Sequence, residues 1–294
     1  MHNDLHEFLH AIQQALGPVD LTPVADGKIR RFHVPGDRPG TTNGWCVLHA
    51  SKIVYGTFGS WKSDASYSWS SRKPQSLLEA TQIARDVDIA RQQRETARQQ
   101  LQSAAAKLAT KLWENSYPAN PGHLYLRRKD IETSYLRELG NILLVPLHYD
   151  GALVNLQRIH PDGTKRFLRG GRVGGCHALL GLPEPGQTLY LCEGFATGAS
   201  IHEATGHAVA CAMNANNLLA AGHQLRRLYP DSPLVIAGDD DRKTEAKGRG
   251  NPGRTAAFRA ATALGCTVIL PEFPPSAPLE LSDFNDLASW RTRQ

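Results

Sequence analysis

The chain has 294 residues, is 41% hydrophobic and 21% charged, and carries a formal net charge of +5. These values describe an ordinary globular protein with room for one large domain or two modest ones. Neither a signal peptide nor a membrane span is expected, so the sequence predicts a cytoplasmic protein without a membrane partner. The five cysteines include no C-x-x-C pair, which predicts reduced thiols and no zinc site.

Residues 1–75 are predicted to form an amino-terminal β-rich module. Apolar side chains recur at helical spacing over residues 5–16, and short apolar runs between glycine turns follow over residues 28–74. The module contains Trp45, Trp61 and Trp69 among basic residues. These aromatic rings would either stack on the bases of single-stranded nucleic acid or form the core of the small sheet, and the core interpretation is favoured.

Residues 76–114 are predicted to form a long helical linker. The segment has no glycine or proline and is rich in good helix formers. Its centre, residues 90–100, has no large apolar side chain, so this part is expected to be exposed to solvent between two domains. Charged residues on such a helix are more often exposed to solvent than in contact with nucleic acid, so a solvated face is the favoured interpretation.

Residues 115–182 form a basic segment in which two Asp-Gly turns, 149–151 and 161–163, flank strand-like runs. The segment therefore predicts a sheet with basic residues on its strands and loops. The positive net charge of the whole chain favours a polyanionic partner, although many basic proteins bind no nucleic acid.

Residues 183–294 alternate strand-like apolar runs with three predicted helices, at residues 196–205, 218–229 and 253–264. This alternation predicts an α/β fold with a parallel sheet flanked by helices, and functional groups collect at the carboxyl ends of such strands. Acidic residues follow three of the runs: Glu193, then Asp239 to Asp241, then Asp283 with Asp286.

Carboxylates that converge in water-accessible space repel each other unless a cation neutralises them, and oxygen ligands suit Mg²⁺ or Mn²⁺. The pattern therefore favours a divalent-metal phosphoryl-transfer site. Basic residues that follow the second cluster, Arg242, Lys243 and Arg254, would neutralise triphosphate charge. The alternative is that these acidic segments are ordinary solvent-exposed loops. A haloacid-dehalogenase-like phosphohydrolase is disfavoured, because the first strand of this region does not end in the Asp-x-Asp nucleophile element of that class. A dinucleotide-binding domain is also disfavoured, because no G-x-G-x-x-G follows any predicted strand.

The order of these motifs resembles the Toprim-domain DNA primases of plasmids and phages, which are related to the bacterial DnaG-type primases. Glu193-Gly194 and Asp239-x-Asp241 match the Toprim pattern, and Asn251-Pro-Gly-Arg254 and Asp283-Phe-Asn-Asp-Leu287 match the primases. The resemblance covers roughly residues 117–290. It implies a basic primase subdomain over 115–182 and a Toprim catalytic domain over 183–294.

The resemblance also implies roles for individual residues. Glu193, Asp239 and Asp241 would be catalytic, and two Mg²⁺ or Mn²⁺ ions would be held by these three together with Asp283 and Asp286. Template–primer backbone or nucleotide phosphates would be held by basic residues of the preceding subdomain: Lys165, Arg166, Arg169 and Arg172.

The expected activity is synthesis of short RNA primers on single-stranded DNA from nucleoside triphosphates. Candidate protein partners are a replicative helicase or a replicon initiator protein. Two alternatives remain open: a Toprim nuclease that cleaves DNA, and a non-catalytic DNA-binding replication accessory protein.

Overall fold

The computed structural model describes residues 2–37, 39–50, 53–60, 63, 65–73, 75–132 and 134–293. Trp61 lies outside these residues. The chain divides into two compact units, Met1–Ala97 and Arg98–Gln294, with the boundary inside the predicted long helix. The four-segment division at residues 75, 114 and 182 is not tested by this boundary and stays a prediction.

The described part of the first unit contains an amino-terminal helix, a four-stranded antiparallel sheet in the order β1-β2-β3-β4, and the beginning of the long helix described below. Its elements are α1 (His2–Leu16), β1 (Arg30–Phe32), β2 (Gly44–His49), β3 (Tyr55–Ser60) and β4 (Ala65–Ser70). The helix and the antiparallel strands agree with the sequence-based expectation.

The aromatic side chains of this unit are mainly core residues. The ring of Phe8, on α1, lies 5.7 Å from that of Phe58 and 5.3 Å from that of Trp69. Phe8 and Phe58 are buried, and Trp69 packs against the same cluster. The core interpretation is thus confirmed for Trp69.

The long helix is observed as α2 (Leu77–Glu114), close to its predicted bounds. A five-stranded antiparallel sheet follows in the order β5-β6-β7-β8-β9, with one short helix. These elements are β5 (Tyr117–Pro118), α3 (Leu124–Lys129), β6 (Arg137–Leu139), β7 (Ile142–Tyr149), β8 (Ala152–Ile159) and β9 (Lys165–Phe167). The carboxyl-terminal part of α2 packs on this sheet through Ala109, Leu112 and Trp113.

The turn between β7 and β8 illustrates how local sequence sets this sheet. Asp150 and Gly151 both have positive φ, at 54° and 77°. Two consecutive positive φ values are typical of the tight hairpin turn whose twist matches that of the flanking strands, and Asp-Gly is one of its preferred sequences. The predicted turn is observed.

A second five-stranded sheet has the order β10-β12-β11-β13-β14, with β10 antiparallel and the other strands parallel. Its strands are β10 (Ala178–Leu180), β11 (Leu189–Cys192), β12 (Val209–Cys211), β13 (Leu234–Ala237) and β14 (Thr267–Ile269). The helices of this region are α4 (Phe195–Thr205), α5 (Leu218–Leu228), α6 (Arg242–Ala246), α7 (Pro252–Leu264) and α8 (Phe284–Thr292). The mostly parallel α/β fold expected from the sequence is confirmed.

Both faces of this parallel sheet are covered. Phe195 and Ala199 of α4 belong to one apolar cluster, and Leu218 of α5 and Ala257 of α7 belong to another. Strands buried on both faces read as continuous apolar runs, which is why β11 and β13 were recognisable in the sequence. Among the described residues, no helix combines the length and apolarity that crossing a membrane requires.

Candidate active site

Glu193 and Asp239 lie beyond the carboxyl ends of two neighbouring strands of the parallel sheet. Glu193 follows β11 directly, and Gly238 separates Asp239 from β13. Cys192 and Ala237 are register partners on these neighbouring strands. Both acidic residues therefore leave the sheet at the same end, as expected for the carboxyl ends of parallel strands.

Both carboxylates are poorly solvated. Oε1 of Glu193 and Oδ1 of Asp239 are buried without a hydrogen-bond partner among the described residues. Burial, followed by the charges of Asp241 and Asp283, raises the pKa of Glu193 to about 7. Burial, followed by the charges of Glu193 and Asp283, raises the pKa of Asp239 to about 8. Negative charge at these two positions is therefore unfavourable unless a cation accompanies it.

Asp283 and Asp286 shape the start of α8. Asp283 caps the helix, because its Oδ1 accepts a hydrogen bond from the amide of Asp286 at 2.8 Å. Asp286 accepts from the ammonium of Lys129 at 3.2 Å and from the amide of Ser282 at 3.1 Å. Burial, with the charge of Asp286, raises the pKa of Asp283. Both oxygens of Asp286 are thus already engaged within the protein.

Lys129, at the end of α3, forms an ion pair with Asp286 at 3.2 Å. Burial alone would lower its pKa, but the charges of Asp283 and Asp286 outweigh burial and raise the pKa. The buried side chain of Asn285 helps to place Lys129, since its amide donates to the Lys129 carbonyl at 2.7 Å and to Ser200 Oγ at 3.0 Å. The Asp-Phe-Asn-Asp motif therefore joins α8 to α3 and α4.

The acidic loop after β13 is held by Asn251 and Arg254. Asn251 Oδ1 accepts from the amide of Asp241 at 3.0 Å, and its Nδ2 donates to Asp240 Oδ1 at 2.7 Å. The guanidinium of Arg254 forms an ion pair with Asp240 at 2.6 Å and a second with Glu245 at 3.0 Å. Asp240 thus anchors the loop, and its environment differs from that of its two acidic neighbours.

Gly253 brings α7 close to the same loop. Its amide donates to Asp241 Oδ2 at 2.8 Å. A Cβ at this position would meet the carbonyl oxygen of Asp239 at 2.8 Å and its Cβ at 3.0 Å. Backbone atoms cannot move aside as the end of a long side chain can, so this close approach requires glycine.

Lys165 faces the acidic site from β9. The residue is exposed, and partial desolvation, followed by the charge of Lys129, lowers the pKa of its ammonium. Asp283 and Asp239 act in the opposite direction on that pKa, which places Lys165 within electrostatic reach of the carboxylates. Its ammonium also lies 5.5 Å from the ring centroid of Tyr125.

The other predicted basic residues of the antiparallel sheet have different surroundings. Arg166 follows Lys165 on β9 and therefore points to the opposite face of that strand. Arg166 and Arg169 are exposed. The guanidinium of Arg172 lies 3.2 Å from the ring centroid of Tyr149. Lys165 is the residue of this set whose pKa is affected by the charges of Asp283 and Asp239.

The basic residues after the acidic loop are already engaged with protein acceptors. Arg242 donates to the carbonyl oxygens of Pro278 at 3.3 Å and Ala277 at 3.4 Å. Lys243 pairs with Glu280 at 2.9 Å. Arg254 holds Asp240, as described above. A phosphate contact by any of these three would have to replace a bond present in the structure.

The carboxylates fit a hard divalent cation that keeps part of its water shell. Oδ1 of Asp239 and Oε1 of Glu193 have no partner within the described residues, and both groups have raised pKa values. Over the same residues, no group of three or more His, Cys, Asp or Glu side chains surrounds a common point. Mg²⁺ is usually held by one or two carboxylates plus substrate phosphates, so an incomplete protein cage agrees with that ion.

Three residues of this region were not selected from the sequence as site residues: Lys129, Asn251 and Asn285. Each acts by holding an acidic residue or its helix in place. Asn251 and Asn285 lie inside motifs that the sequence did reveal, so their position was the available signal. Lys129 lies far from Asp286 in the chain, and only the fold shows that they meet.

Comparison with known proteins places this region in a known family. Residues 188–293 match the family described as Toprim domain. Two Escherichia coli proteins, each named DNA primase TraC, are similar to the chain. One is 31% identical over 93% of this chain and 26% of the relative, and the other is 32% identical over 86% of this chain and 18% of the relative. The chain therefore spans about a quarter, or less, of the length of these relatives.

Two solved structures also match the chain. The structure of the DnaG catalytic core overlaps with a TM-score of 0.38 at 15% identity, covering 66% of this chain and 78% of that one. The zinc-binding and RNA polymerase domains of the Aquifex aeolicus primase overlap with a TM-score of 0.39 at 13% identity, covering 98% and 84% respectively.

Proposed function

Since this chain carries a Toprim domain and is similar to plasmid DNA primases, we propose that it is a metal-dependent primase that synthesises short RNA primers on single-stranded DNA. The observation that carries the proposal is the pair Glu193 and Asp239. These are neighbouring carboxylates, each with a buried oxygen lacking a partner among the described residues and a pKa raised into the neutral range. A bound divalent cation would stabilise the charged form of such a pair.

In this proposal Glu193, Asp239 and Asp241 would hold Mg²⁺ or Mn²⁺ no more than two at a time, with substrate phosphates as further ligands, because no three such side chains of the described residues surround a common point. Asp283 and Asp286 would extend the acidic site. A bound ion of this kind would neutralise negative charge on the triphosphate and lower the pKa of the attacking hydroxyl. Gly253, through its amide bond to Asp241, keeps one oxygen of that carboxylate oriented. In the alternative role, Glu193 would not bind the ion but would accept the proton of the primer 3′-hydroxyl.

The basic residues would bind the polyanionic substrates. Lys165 is the best placed to meet a phosphate at the acidic site, because its ammonium responds to Asp239 and Asp283. Exposed Arg166 and Arg169 would track the template backbone away from the reacting atoms. A replicative helicase or a replicon initiator would deliver the template, and the protein would act in the cytoplasm.

The test is the product formed from single-stranded DNA, labelled ribonucleoside triphosphates and Mg²⁺. Template-dependent short RNA supports the proposal. Shortened DNA without RNA synthesis would instead identify a nuclease that uses the same carboxylates. Binding of the DNA with neither product would identify a non-catalytic accessory protein, and both of the last two results contradict the proposal.

A further inference from the structure

A tight turn that follows β12 lies beside the acidic site. It runs through residues 212–217 and ends in a short 3₁₀ helix, Ala215–Asn217. Because β12 is a parallel neighbour of β11, the turn leaves the sheet at the same end as Glu193. The amide of Ala212 donates to the carbonyl oxygen of Cys192 at 2.8 Å, which ties the turn to the residue before Glu193.

The buried side chain of Asn217 holds this turn from the inside. Its Nδ2 donates to the carbonyl oxygens of Ala212 at 2.8 Å and Cys176 at 2.9 Å. Its Oδ1 accepts from the amide of Gly175 at 2.7 Å. The side chain therefore joins the turn to the segment that precedes β10, and truncating it would leave these backbone groups without their present partner.

The backbone of the turn needs this support. Met213 has a φ of 69°, in the left-handed region that residues other than glycine rarely adopt. Such a conformation persists only where the surrounding contacts hold it. Asn214 adds one of these contacts, because its side chain accepts from the amide of Asn217 at 3.1 Å.

The 3₁₀ helix acts on the Glu193 carboxylate. Burial is the largest influence on the pKa of Glu193 and raises it, whereas a hydrogen bond from the amide of Ala215 acts in the opposite direction. Oε1 of Glu193 has no partner among the described residues. One side of the carboxylate is therefore held by the turn, and the other is open to a cation.

We propose that Asn217 is a positioning residue for the acidic site. By clamping the turn, it sets the amide of Ala215 against Glu193 and so keeps that carboxylate oriented for a metal ion. Asn217 itself touches neither the metal ion nor the substrate. This role rests on the proposed function, because it concerns the metal ion of that site.

The experiment measures the dissociation constant of Mn²⁺ for the full chain, without nucleotide or DNA. Asn217→Ala should weaken Mn²⁺ binding by about tenfold, the typical effect of losing a group that orients a metal ligand. Ala215→Pro should weaken it by a similar factor, because proline lacks the amide hydrogen but fits the first position of a helix. The preceding residue, Asn214, is already extended, with φ −167° and ψ 157°, as proline requires.

The double variant gives a readout that a purely structural role would not. If Asn217 acts through the Ala215 amide, adding Asn217→Ala to Ala215→Pro should cause little further loss of Mn²⁺ affinity. Additive losses would show that Asn217 affects the metal site by another route, which overturns the proposal.

Asn216→Ala is the matched control, since Asn216 lies in the same 3₁₀ helix but is exposed, and it should bind Mn²⁺ as the wild type does. Thermal unfolding in chelator shows which variants are folded, and Asn217→Ser takes the place of Asn217→Ala if that variant is not. Wild-type Mn²⁺ affinity in a folded Asn217 or Ala215 variant overturns the proposal. A wild-type chain that binds no Mn²⁺ does so too.

Primer synthesis is measured separately in the same samples. A wild type that makes no primer, with Mn²⁺ binding weakened in both single variants, would contradict the primase function and support the positioning role. A wild type that primes normally, with Mn²⁺ binding unchanged in both variants, would contradict only the positioning role.

Discussion

Asp239 and Glu193 are carboxylic acids whose folded environment opposes their ionisation. Their pKa values of about 8 and about 7 lie above the usual 3.8 and 4.5, chiefly because of burial and then of neighbouring carboxylates. Between the usual and the raised pKa, the folded protein holds protons that the unfolded chain has released. The free energy of unfolding of the metal-free protein should therefore fall as pH rises through this window.

Asp239→Asn removes one of these two groups and should raise the thermal stability of the metal-free protein at about pH 9. At about pH 5 the gain should be smaller, and it should vanish near pH 3, where Asp239 is protonated in both the folded and the unfolded wild type. The melting temperature in chelator measures the effect, at about 2–4 °C per kcal/mol for a chain of this size. A variant that is less stable than the wild type at the higher pH would show that Asp239 is a satisfied structural carboxylate.

Lys165 and Arg166 are adjacent cations on opposite faces of β9, and this makes them a matched pair. Lys165→Gln should lower primer synthesis at saturating template by about tenfold, through loss of a charged hydrogen bond to phosphate. Arg166→Gln should weaken single-stranded DNA binding and flatten its salt dependence by about 0.7 in log–log slope. Equal effects of the two changes on synthesis would mean that Lys165 has no special place at the acidic site.

At the scale of elements, α7 supports the loop after β13. Asn251 bonds to Asp241, Asp240 and the first turn of α7, so Asn251→Ala leaves several of these groups without a partner. We expect a loss of about 1–3 kcal/mol in the free energy of unfolding and a marked loss of primer synthesis. Asn141→Ala, at an exposed position before β7, is the control. Denaturant unfolding with unchanged stability in Asn251→Ala would contradict the supporting role.

Sequence alone predicted these elements well where the pattern was periodic. The helices α4, α5 and α7 fall within a few residues of their predicted bounds, and β11, β13 and β14 lie in strand-like apolar runs of the sequence. The edge strand β10 was not predicted, because three residues outside any alternation carry too little signal. The closeness of Glu193 and Asp239 could be predicted from topology, since the carboxyl ends of neighbouring parallel strands lie side by side.

The electrostatic partners of those carboxylates could not be predicted in the same way. Lys129 reaches Asp286 across a large separation in the chain, and Arg254 turns to Asp240 rather than outward. A charged residue in a sequence shows its sign but not the direction of its side chain. The predicted phosphate contacts of Arg242, Lys243 and Arg254 therefore stay predictions, with intramolecular partners now known for each.

At the scale of the whole molecule, the centre of α2 is the expected point of cleavage. Residues 96–101 are exposed, and the boundary between the two compact units falls at residues 97 and 98. Limited proteolysis followed by mass spectrometry should release a carboxyl-terminal fragment that starts near residues 90–115. The fragment should still bind ATP, because every acidic cluster lies beyond that point. Uniform degradation without a stable fragment would contradict the predicted division into separate folding units.

The most direct test of the central claim compares primer synthesis by the wild type, Asp239→Asn and Asp231→Asn under equal Mg²⁺. Asp231 is an exposed residue shortly before β13, so its variant makes the same charge change outside the acidic site. We predict template-dependent RNA from the wild type and from Asp231→Asn, and none from a folded Asp239→Asn. Full synthesis by Asp239→Asn would contradict the assignment of the acidic site as the metal-dependent catalytic centre.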